Sequence, residues 1–413
     1  MALRERPVSP WENSSGLGRG NRPEPPAAPL RRWYRRSPAR YDVQQVSRGE
    51  RQLAVLRSGR RLVLPALLVL LATPAGPPEP EIAFEGPRPA LDEALRAAAD
   101  TAAGINGLHG FLASFRGRLV VEEYFEGYRS SRPHNIKSAS KSVLSALIGI
   151  AVEQGVIPGV QTPIVRYFPR VLQDSDPRKR DITVEHLLTM RSGLERTSGR
   201  NYGAWVSSPS WVGYALQRPL LHPPGEAMDY STGSTHLLAA LLTKAAGESV
   251  WSFGQRNLAE PLGFELAQWP RDPEGYYFGG NDMAMTPRQM LTFGELYRRG
   301  GVTADGERVL SQDWVDRTFI PRGRSDRSGR LYGYGWWIRR LAGRDVGYAW
   351  GYGGQFIFVV PDLELTVVTT SSTDSDSRGG RNSRIYALTE ALIESIAASD
   401  AFPRRARIPG RST

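Results

Sequence analysis

The chain has 413 residues, of which 40% are hydrophobic, and it contains 43 glycines and 31 prolines. This composition is typical of a globular protein with additional irregular segments, and it excludes a collagen-like, coiled-coil or wholly disordered chain. The absence of cysteine excludes disulfides, thiolate metal sites and a thiol nucleophile. Five scattered histidines without an H-E-x-x-H pattern do not indicate a metal site, and we expect no metal or cofactor.

The formal net charge of +11 is concentrated at the two ends of the chain. Residues 1–61 contain 14 arginines and five acidic residues, and residues 404–411 contain four more arginines. The body of the protein is therefore slightly acidic. A basic tail attracts phosphate groups without specificity, but a body without a basic stripe does not indicate nucleic-acid binding. We expect no nucleic-acid partner.

The N-terminal part of the chain divides into three segments. Residues 1–56 are rich in Arg, Pro, Ser and Gly and lack an apolar period, which predicts disorder. Residues 57–76 combine a basic flank, an apolar run of eleven residues and a Pro/Gly break, the layout of a secretory signal. Residues 77–90 form a linker. The apolar run is shorter than the roughly 20 residues of a membrane span.

The signal-like segment leaves several cellular locations open. A cleaved signal implies an exported protein, periplasmic or extracellular. An uncleaved segment would anchor the protein to a membrane, and a buried helix would leave it cytoplasmic. We expect a membrane contact only through residues 57–76.

Residues 91–400 form the globular domain, and residues 401–413 a basic tail. The patterns predict the following elements: a helix at 91–103, a hairpin at 110–125 around Gly117, mostly helices at 142–290, a second hairpin at 356–370, and a closing helix at 383–397. Strands at both ends with helices between them predict an α+β (or α/β) domain. Its antiparallel β-sheet would be flanked by helices, with the mostly helical segment 142–290 inserted as a subdomain.

The candidate chemistry lies in an S-x-x-K motif, Ser-Ala-Ser-Lys at 138–141, which begins a helix predicted over 138–154. Side chains three residues apart lie on one helix face, so Ser138 and Lys141 would be neighbours. The N–H groups and dipole at a helix N-terminus favour an oxyanion, and a lysine in a dry pocket can act as a base. Taken alone, the motif is equally compatible with Ser138 capping the helix and a solvated Lys141.

Further segments accompany the motif in the chain: 155–169, 182–194, 224–234, 279–290 and 350–355. Together with the S-x-x-K helix they resemble the serine β-lactamase and penicillin-binding-protein superfamily. Within that superfamily the segments resemble the class C and esterase-like branch, especially the 6-aminohexanoate-dimer hydrolase-like members. The resemblance covers about residues 105–395 in the expected order.

The resemblance implies a mechanism for this chain. Ser138 would attack an ester or amide carbonyl, and Lys141 would take its proton directly or lower the pKa of Tyr230. Tyr230 would pass a proton to the leaving group and later help to activate water. The oxyanion would lie between the backbone N–H groups of Ser138 and Tyr352.

The resemblance also suggests substrate-binding residues, namely Tyr202, Thr232, Gly351 and Gly353. Two positions depart from the family pattern. Thr232 stands where the Y-x-N element has asparagine, and Ala349 stands where the K-T-G element has a cation. The loss of that cation removes a partner for a substrate carboxylate. Both departures disfavour a strong β-lactamase and favour an esterase or amidase.

We therefore expect a serine hydrolase that cleaves small ester or amide substrates through an acyl-enzyme. Two alternatives stay open. The first is a D-Ala carboxypeptidase or β-lactamase acting on cell-wall-type substrates. The second is a non-catalytic binding or regulatory module of the same fold.

Overall fold

A computed structural model describes residues 89–374 and 380–399. The predicted segments 1–56 and 57–76, most of the linker and the tail 401–413 lie outside the described residues, so those boundaries stay predictions. Within the described part, no helix has the length and apolar composition needed to cross a bilayer.

The described helices and strands agree in type with the elements predicted at both ends of the domain. The α-helices are α1 (Pro89–Ala103), α2 (Ser140–Glu153), α3 (Val184–Leu188), α4 (Tyr202–Val206), α5 (Trp211–Gln217), α6 (Thr232–Ala246), α7 (Val250–Gly254), α8 (Pro287–Arg298), α9 (Gln312–Thr318) and α10 (Arg381–Ala398). The strands are β1 (Leu108–Phe115), β2 (Arg118–Tyr124), β3 (His134–Asn135), β4 (Ala284–Met285), β5 (Gly323–Arg324), β6 (Leu331–Tyr332), β7 (Trp337–Leu341), β8 (Arg344–Gly351), β9 (Gln355–Val360) and β10 (Leu365–Ser371).

The main sheet is antiparallel, with the strand order β2-β1-β10-β9-β8-β7-β6-β5. The two predicted hairpins, β1–β2 and β9–β10, are neighbours in it because β1 pairs with β10, with Phe111 opposite Thr369. Strands β3 and β4 form a separate pair. The sheet thus joins the two ends of the domain, as the antiparallel α+β prediction requires.

Helices cover both faces of the sheet. On one face, Tyr386 of α10 packs against Phe356 and Phe358 of β9. On the other face α8 approaches so closely that a Cβ at Gly294 would lie 2.7 Å from Ile357. Because successive strand residues point to opposite faces, Phe356 and Ile357 mark the two sides. The domain has three layers, with α1 packed beside α10.

Between β2 and β5 the chain is mostly helical. Helix α2 is the centre of this region, since every residue from Ser140 to Ala151 is buried. Its sequence is apolar on all sides, which is typical of a helix surrounded by protein. Helix α6 packs against α2, α3 and α5. The N-terminus of α2 faces the end of β8, and this junction contains the predicted site.

The sequence pattern does not indicate the hairpin β7–β8, because Arg339 and Arg340 interrupt the apolar run in β7. In the structure the Arg339 guanidinium lies 4.3 Å from the ring centroid of Tyr386. The aliphatic stem of an arginine can cover apolar surface while its charged end stays in water. Strand β7 therefore tolerates these charges, because Arg339 is only partly buried and Arg340 is exposed.

Candidate active site

Ser138 lies in a single 3₁₀ turn, Lys137–Ala139, directly before α2. The α-helix itself begins at Ser140, two residues later than the sequence pattern predicts. Ser138 is partly exposed, whereas Ala139 and Ser140 are buried. Solvent or a substrate can therefore reach Ser138 at the start of a buried helix.

The turn before Ser138 is held by a small polar network. Lys137 adopts a left-handed conformation (φ 51°), which is uncommon for a non-glycine residue. Its backbone N–H donates to the Asn135 side chain at 2.9 Å. The Asp282 carboxylate accepts from the Asn135 amide at 2.6 Å and lies 3.4 Å from the Lys137 ammonium. These contacts fix the direction in which the chain presents Ser138.

Lys141 is 1% exposed, and its Nζ contacts three oxygen atoms. The Ser138 hydroxyl lies at 3.1 Å, the Thr232 hydroxyl at 3.3 Å and the Gly280 carbonyl at 2.6 Å. Burial lowers the pKa of Lys141 to about 7, against a smaller opposing effect of the Asp282 carboxylate. An amine with this pKa is neutral in a large fraction of molecules at neutral pH and can accept a proton from Ser138.

Tyr230 lies beside the same pair. Its side chain hydrogen-bonds with Ser138, and its ring centroid is 5.1 Å from the Lys141 Nζ. The ring stacks on Trp337 at 5.3 Å between centroids. Burial raises the pKa of Tyr230 well above its usual value, and the Ser138 contact offsets this in part. The hydroxyl therefore keeps its proton at neutral pH.

Thr232 begins α6, and its hydroxyl faces the lysine. Besides the Lys141 contact, its oxygen lies 3.1 Å from the Ser198 hydroxyl, and the Ser198 oxygen accepts the Thr232 backbone N–H at 2.9 Å. A hydroxyl pair thus occupies the place of the family asparagine beside the lysine.

The end of β8 packs tightly against the segment that carries Ser138. A Cβ at Gly351 would lie 2.1 Å from the Ile136 carbonyl oxygen, so only glycine fits this contact. Tyr352 follows directly and is partly exposed, and Gly353 continues the turn with φ 93°. The predicted oxyanion donors, Ser138 and Tyr352, therefore come from two segments in close backbone contact.

Arg381 anchors the turn that contains Tyr352. Its guanidinium, 2% exposed, donates to the carbonyl oxygens of Gly353 at 2.9 Å, Ser372 at 2.5 Å and Asn106 at 2.9 Å. Hydrogen bonds from a charged donor in a buried place are among the stronger ones. The first residue of α10 thus ties the β8–β9 turn to the ends of β1 and β10.

We expect Arg381→Ala to lower the free energy of unfolding by about 3 kcal/mol, because three buried carbonyls lose a charged donor. Urea unfolding followed by circular dichroism measures the change. The matched control is Arg384→Ala, since Arg384 is exposed on the same helix and its replacement should cost under about 0.5 kcal/mol. Equal losses in both variants would contradict the anchoring role.

The other predicted residues lie at different distances from the chemistry. Tyr202 is partly buried, and its hydroxyl accepts from the Asn281 amide at 3.2 Å, next to Gly280. Trp205 and Trp211, by contrast, pack edge-on against the ring of the buried His236 and belong to the core. Tyr202 thus lies near the site, whereas the two tryptophans belong to the core.

The structure also brings Gly280, Ser198 and Trp337 to the site, although the sequence pattern assigns a role to none of them. Gly280 supplies the shortest contact of the lysine, and Trp337 supports the Tyr230 ring. The signal that could have found Gly280 is the Gly-Gly pair at 279–280, since adjacent glycines often mark a close backbone approach. Tyr230 also lines a polar cleft of about 280 Å³, together with Arg196 and Asp229.

Known proteins resemble this chain in sequence and in fold. The pattern of the family described as Beta-lactamase matches residues 111–391. The 6-aminohexanoate-dimer hydrolase of Paenarthrobacter ureafaciens is 25% identical over 345 residues, and the match covers 76% of this chain and 84% of that protein. A solved penicillin-binding protein homologue from Caulobacter crescentus has a TM-score of 0.61 and 17% identity, covering 75% of this chain and 99% of that one. A family VIII carboxylesterase has a TM-score of 0.58 and 17% identity, covering 75% and 99%.

A helix-covered antiparallel sheet, with a serine and a buried lysine at the start of its central helix, is the arrangement of a β-lactamase-like serine hydrolase. The chain belongs to the Beta-lactamase family, a family of serine hydrolases that includes esterases, amidases and β-lactamases. The fold and the enzyme class expected from the sequence are confirmed.

Proposed function

We propose that this enzyme cleaves small esters or amides through an acyl-enzyme on Ser138. The observation that carries the proposal is the contact between the buried Lys141 Nζ and the Ser138 hydroxyl at 3.1 Å, with the pKa of Lys141 lowered to about 7. A nucleophile in hydrogen-bond reach of a base that is neutral at the working pH is the requirement for serine catalysis.

The proposed reaction uses each group once in each half. The Ser138 oxygen bonds to the substrate carbonyl carbon while its proton passes to the Lys141 nitrogen. The carbonyl oxygen becomes an oxyanion that accepts the backbone N–H groups of Ser138 and Tyr352. The bond to the leaving group then breaks, and Tyr230 gives that group a proton. In the second half a water molecule takes the place of the leaving group, and its proton passes to the Tyr230 oxygen as its oxygen bonds to the acyl carbon. The bond between that carbon and the Ser138 oxygen then breaks, the Lys141 ammonium returns its proton to Ser138, and the acid is released.

The substrate preference follows from the charges around Ser138. Ala349 occupies the position that carries a cation in the family pattern, and its side chain is uncharged and fully buried. Without that cation, a substrate carboxylate next to the scissile bond contributes little to the binding free energy. This favours small esters or amides over β-lactams and D-Ala-D-Ala ends. A penicillin-binding assay tests the choice, since stable penicilloylation of Ser138 at micromolar antibiotic would favour the cell-wall alternative.

The test of the proposal is intact-mass spectrometry of the full chain after incubation with p-nitrophenyl butyrate and, separately, with a fluorophosphonate. We expect turnover of the ester, and a single phosphonyl adduct that peptide mapping places on Ser138. An adduct on another serine, or neither turnover nor adduct on folded protein, would overturn the proposal.

Tyr230→Phe tests the proton donor, because it keeps the stacked ring and removes only the hydroxyl. We expect kcat/KM, which reports acylation alone, to fall about 10³-fold for ethyl butyrate, whose alkoxide leaving group needs a proton. For p-nitrophenyl butyrate we expect a fall of about tenfold, because nitrophenolate leaves without one. The ratio of the two losses in steady-state assays is the measurement. Equal losses for both esters would show that Tyr230 does not protonate the leaving group.

A further inference from the structure

The Lys141 Nζ donates to the Gly280 carbonyl, and the neighbouring Gly279 contacts a buried Asp–His pair. His236 of α6 and Asp272 have fully buried side chains, and the His236 Nε2 lies 2.9 Å from the Asp272 Oδ2. The rings of Trp205, Trp211 and Phe278 pack edge-on around the imidazole. A buried Asp–His pair in an apolar surrounding is costly to desolvate, so its presence calls for an account of what it does.

The hydrogen bonds fix the tautomer of His236. The Asp272 Oδ1 accepts the backbone N–H groups of Glu274 at 2.9 Å and Tyr276 at 2.8 Å, which leaves Oδ2 for the imidazole. A carboxylate oxygen accepts, so His236 carries its proton on Nε2. The unprotonated Nδ1 then accepts the backbone N–H of Gly279 at 3.2 Å.

The Gly279–Gly280 segment is clamped against α6 at this point. The Thr235 hydroxyl donates to the Gly279 carbonyl at 3.1 Å. A Cβ at Gly279 would lie 2.4 Å from the Thr235 carbonyl, and a Cβ at Gly280 would lie 2.8 Å from the Lys141 Cγ. The Gly280 carbonyl, one peptide further on, accepts from the Lys141 Nζ at 2.6 Å. The chain of contacts runs from Asp272 through His236 to the proposed catalytic base.

We propose that Asp272 and His236 are a positioning pair, which holds the Gly279–Gly280 segment so that the Gly280 carbonyl contacts the Lys141 amine. Neither residue touches the reacting atoms. The carbonyl accepts more strongly from the charged amine than from the neutral one, so it stabilises protonated Lys141. Displacing the carbonyl removes that stabilisation and makes the lysine easier to deprotonate.

Three substitutions separate the parts of this network. In Asp272→Asn, Oδ1 can keep both backbone N–H groups, so the new amide N–H₂ faces the His236 Nε2 and drives the proton to Nδ1. Two donors then oppose each other at Gly279. His236→Gln can keep a donor toward Asp272 but lacks an acceptor at the Nδ1 position. His236→Asn keeps an acceptor near that position and loses the Asp272 contact.

The measurement is the titration of Lys141 itself, by NMR of protein with ¹³C at the lysine Cε. The chain has only four lysines, so Lys137→Arg, Lys179→Arg and Lys244→Arg assign the Lys141 signal by elimination. We expect Asp272→Asn and His236→Gln to lower the Lys141 midpoint by about one pH unit. We expect His236→Asn to stay within about 0.3 unit of the unchanged protein.

Asp174→Asn is the control, since Asp174 accepts from the Lys179 Nζ at 2.6 Å. It should move the Lys179 signal and leave Lys141 unchanged. Equal Lys141 midpoints in all variants with native circular dichroism would overturn the proposal. So would an equal shift in His236→Asn and His236→Gln, which would assign the effect to lost imidazole volume.

The proposal rests on the proposed role of Lys141 as base, but its readout does not depend on turnover. An enzyme that fails to hydrolyse the ester while its Lys141 midpoint responds as expected would contradict the proposed function alone. Normal ester hydrolysis with an unresponsive Lys141 midpoint would contradict the positioning pair alone.

Discussion

Replacing Ser138 by alanine is expected to lower kcat/KM for p-nitrophenyl butyrate by at least about 10⁴-fold. Without the hydroxyl no acyl-enzyme forms, and only the oxyanion donors and substrate binding remain. The change removes one oxygen from a partly exposed side chain, so the free energy of unfolding should change by less than about 1 kcal/mol. Ester turnover, with urea unfolding on the same preparation, measures both quantities.

The control for this variant is Ser252→Ala. Ser252 lies in α7, away from the proposed chemistry, and its hydroxyl donates to Glu248. It should keep turnover and fluorophosphonate labelling at the level of the unchanged enzyme. A Ser138→Ala protein that is folded and still acquires the phosphonyl adduct would place the nucleophile elsewhere. Loss of labelling in both variants would point to a general structural effect.

The outer parts of the fold could be predicted because their signals are local. Strands β9 and β10 are buried along their whole length and are rich in apolar, aromatic and β-branched residues, which indicate strands without knowledge of their partners. The two-residue strands β3 to β6 are too short to show any period. The hairpin β7–β8 was hidden by Arg339 and Arg340, since their placement on the ring of Tyr386 or in water depends on tertiary packing.

The candidate site likewise has a local part that the sequence predicts and a part that only the fold brings together. Ser138 and Lys141 are three residues apart, so their contact follows from one turn of chain. Gly280 and Thr232 lie 139 and 91 positions from Lys141, and only the folding of α6 against α2 brings them together. The Gly-Gly pair at 279–280 indicates a close backbone approach but not its partner. The Gly280 carbonyl, the closest oxygen to the lysine, is therefore not identifiable from the sequence.

The direction of the Tyr230 pKa also depends on packing. The resemblance leaves open whether Lys141 acts on Ser138 directly or through Tyr230. Burial against Trp337 and Tyr332 raises the pKa of Tyr230, while burial lowers that of Lys141. The two shifts have opposite directions, which supports the proposed roles of Lys141 as base and Tyr230 as proton donor, since such pairs let one site perform acid and base chemistry together.

Replacing Lys141 by arginine is therefore expected to lower kcat for p-nitrophenyl butyrate by about 10³-fold, although it keeps the positive charge. A guanidinium does not lose its proton in proteins, so it cannot accept one from Ser138. Lys244→Arg, in the last turn of α6, is the matched control and should leave kcat unchanged. A Lys141→Arg enzyme with more than about one tenth of the original kcat would mean that the lysine acts as a fixed cation.

The pH profile of the unchanged enzyme gives the same test without a substitution. Because burial lowers the pKa of Lys141 to about 7, the neutral amine predominates above that pH and the ammonium below it. Only the neutral form accepts a proton, so kcat/KM for p-nitrophenyl butyrate should rise with pH and level off above about 7, falling about tenfold per unit on the acidic side. The expected shift of this limb in Asp272→Asn is toward lower pH, since the displaced Gly280 carbonyl no longer favours the ammonium. A rate that stays flat between about pH 5.5 and 8 would show that Lys141 is not the base.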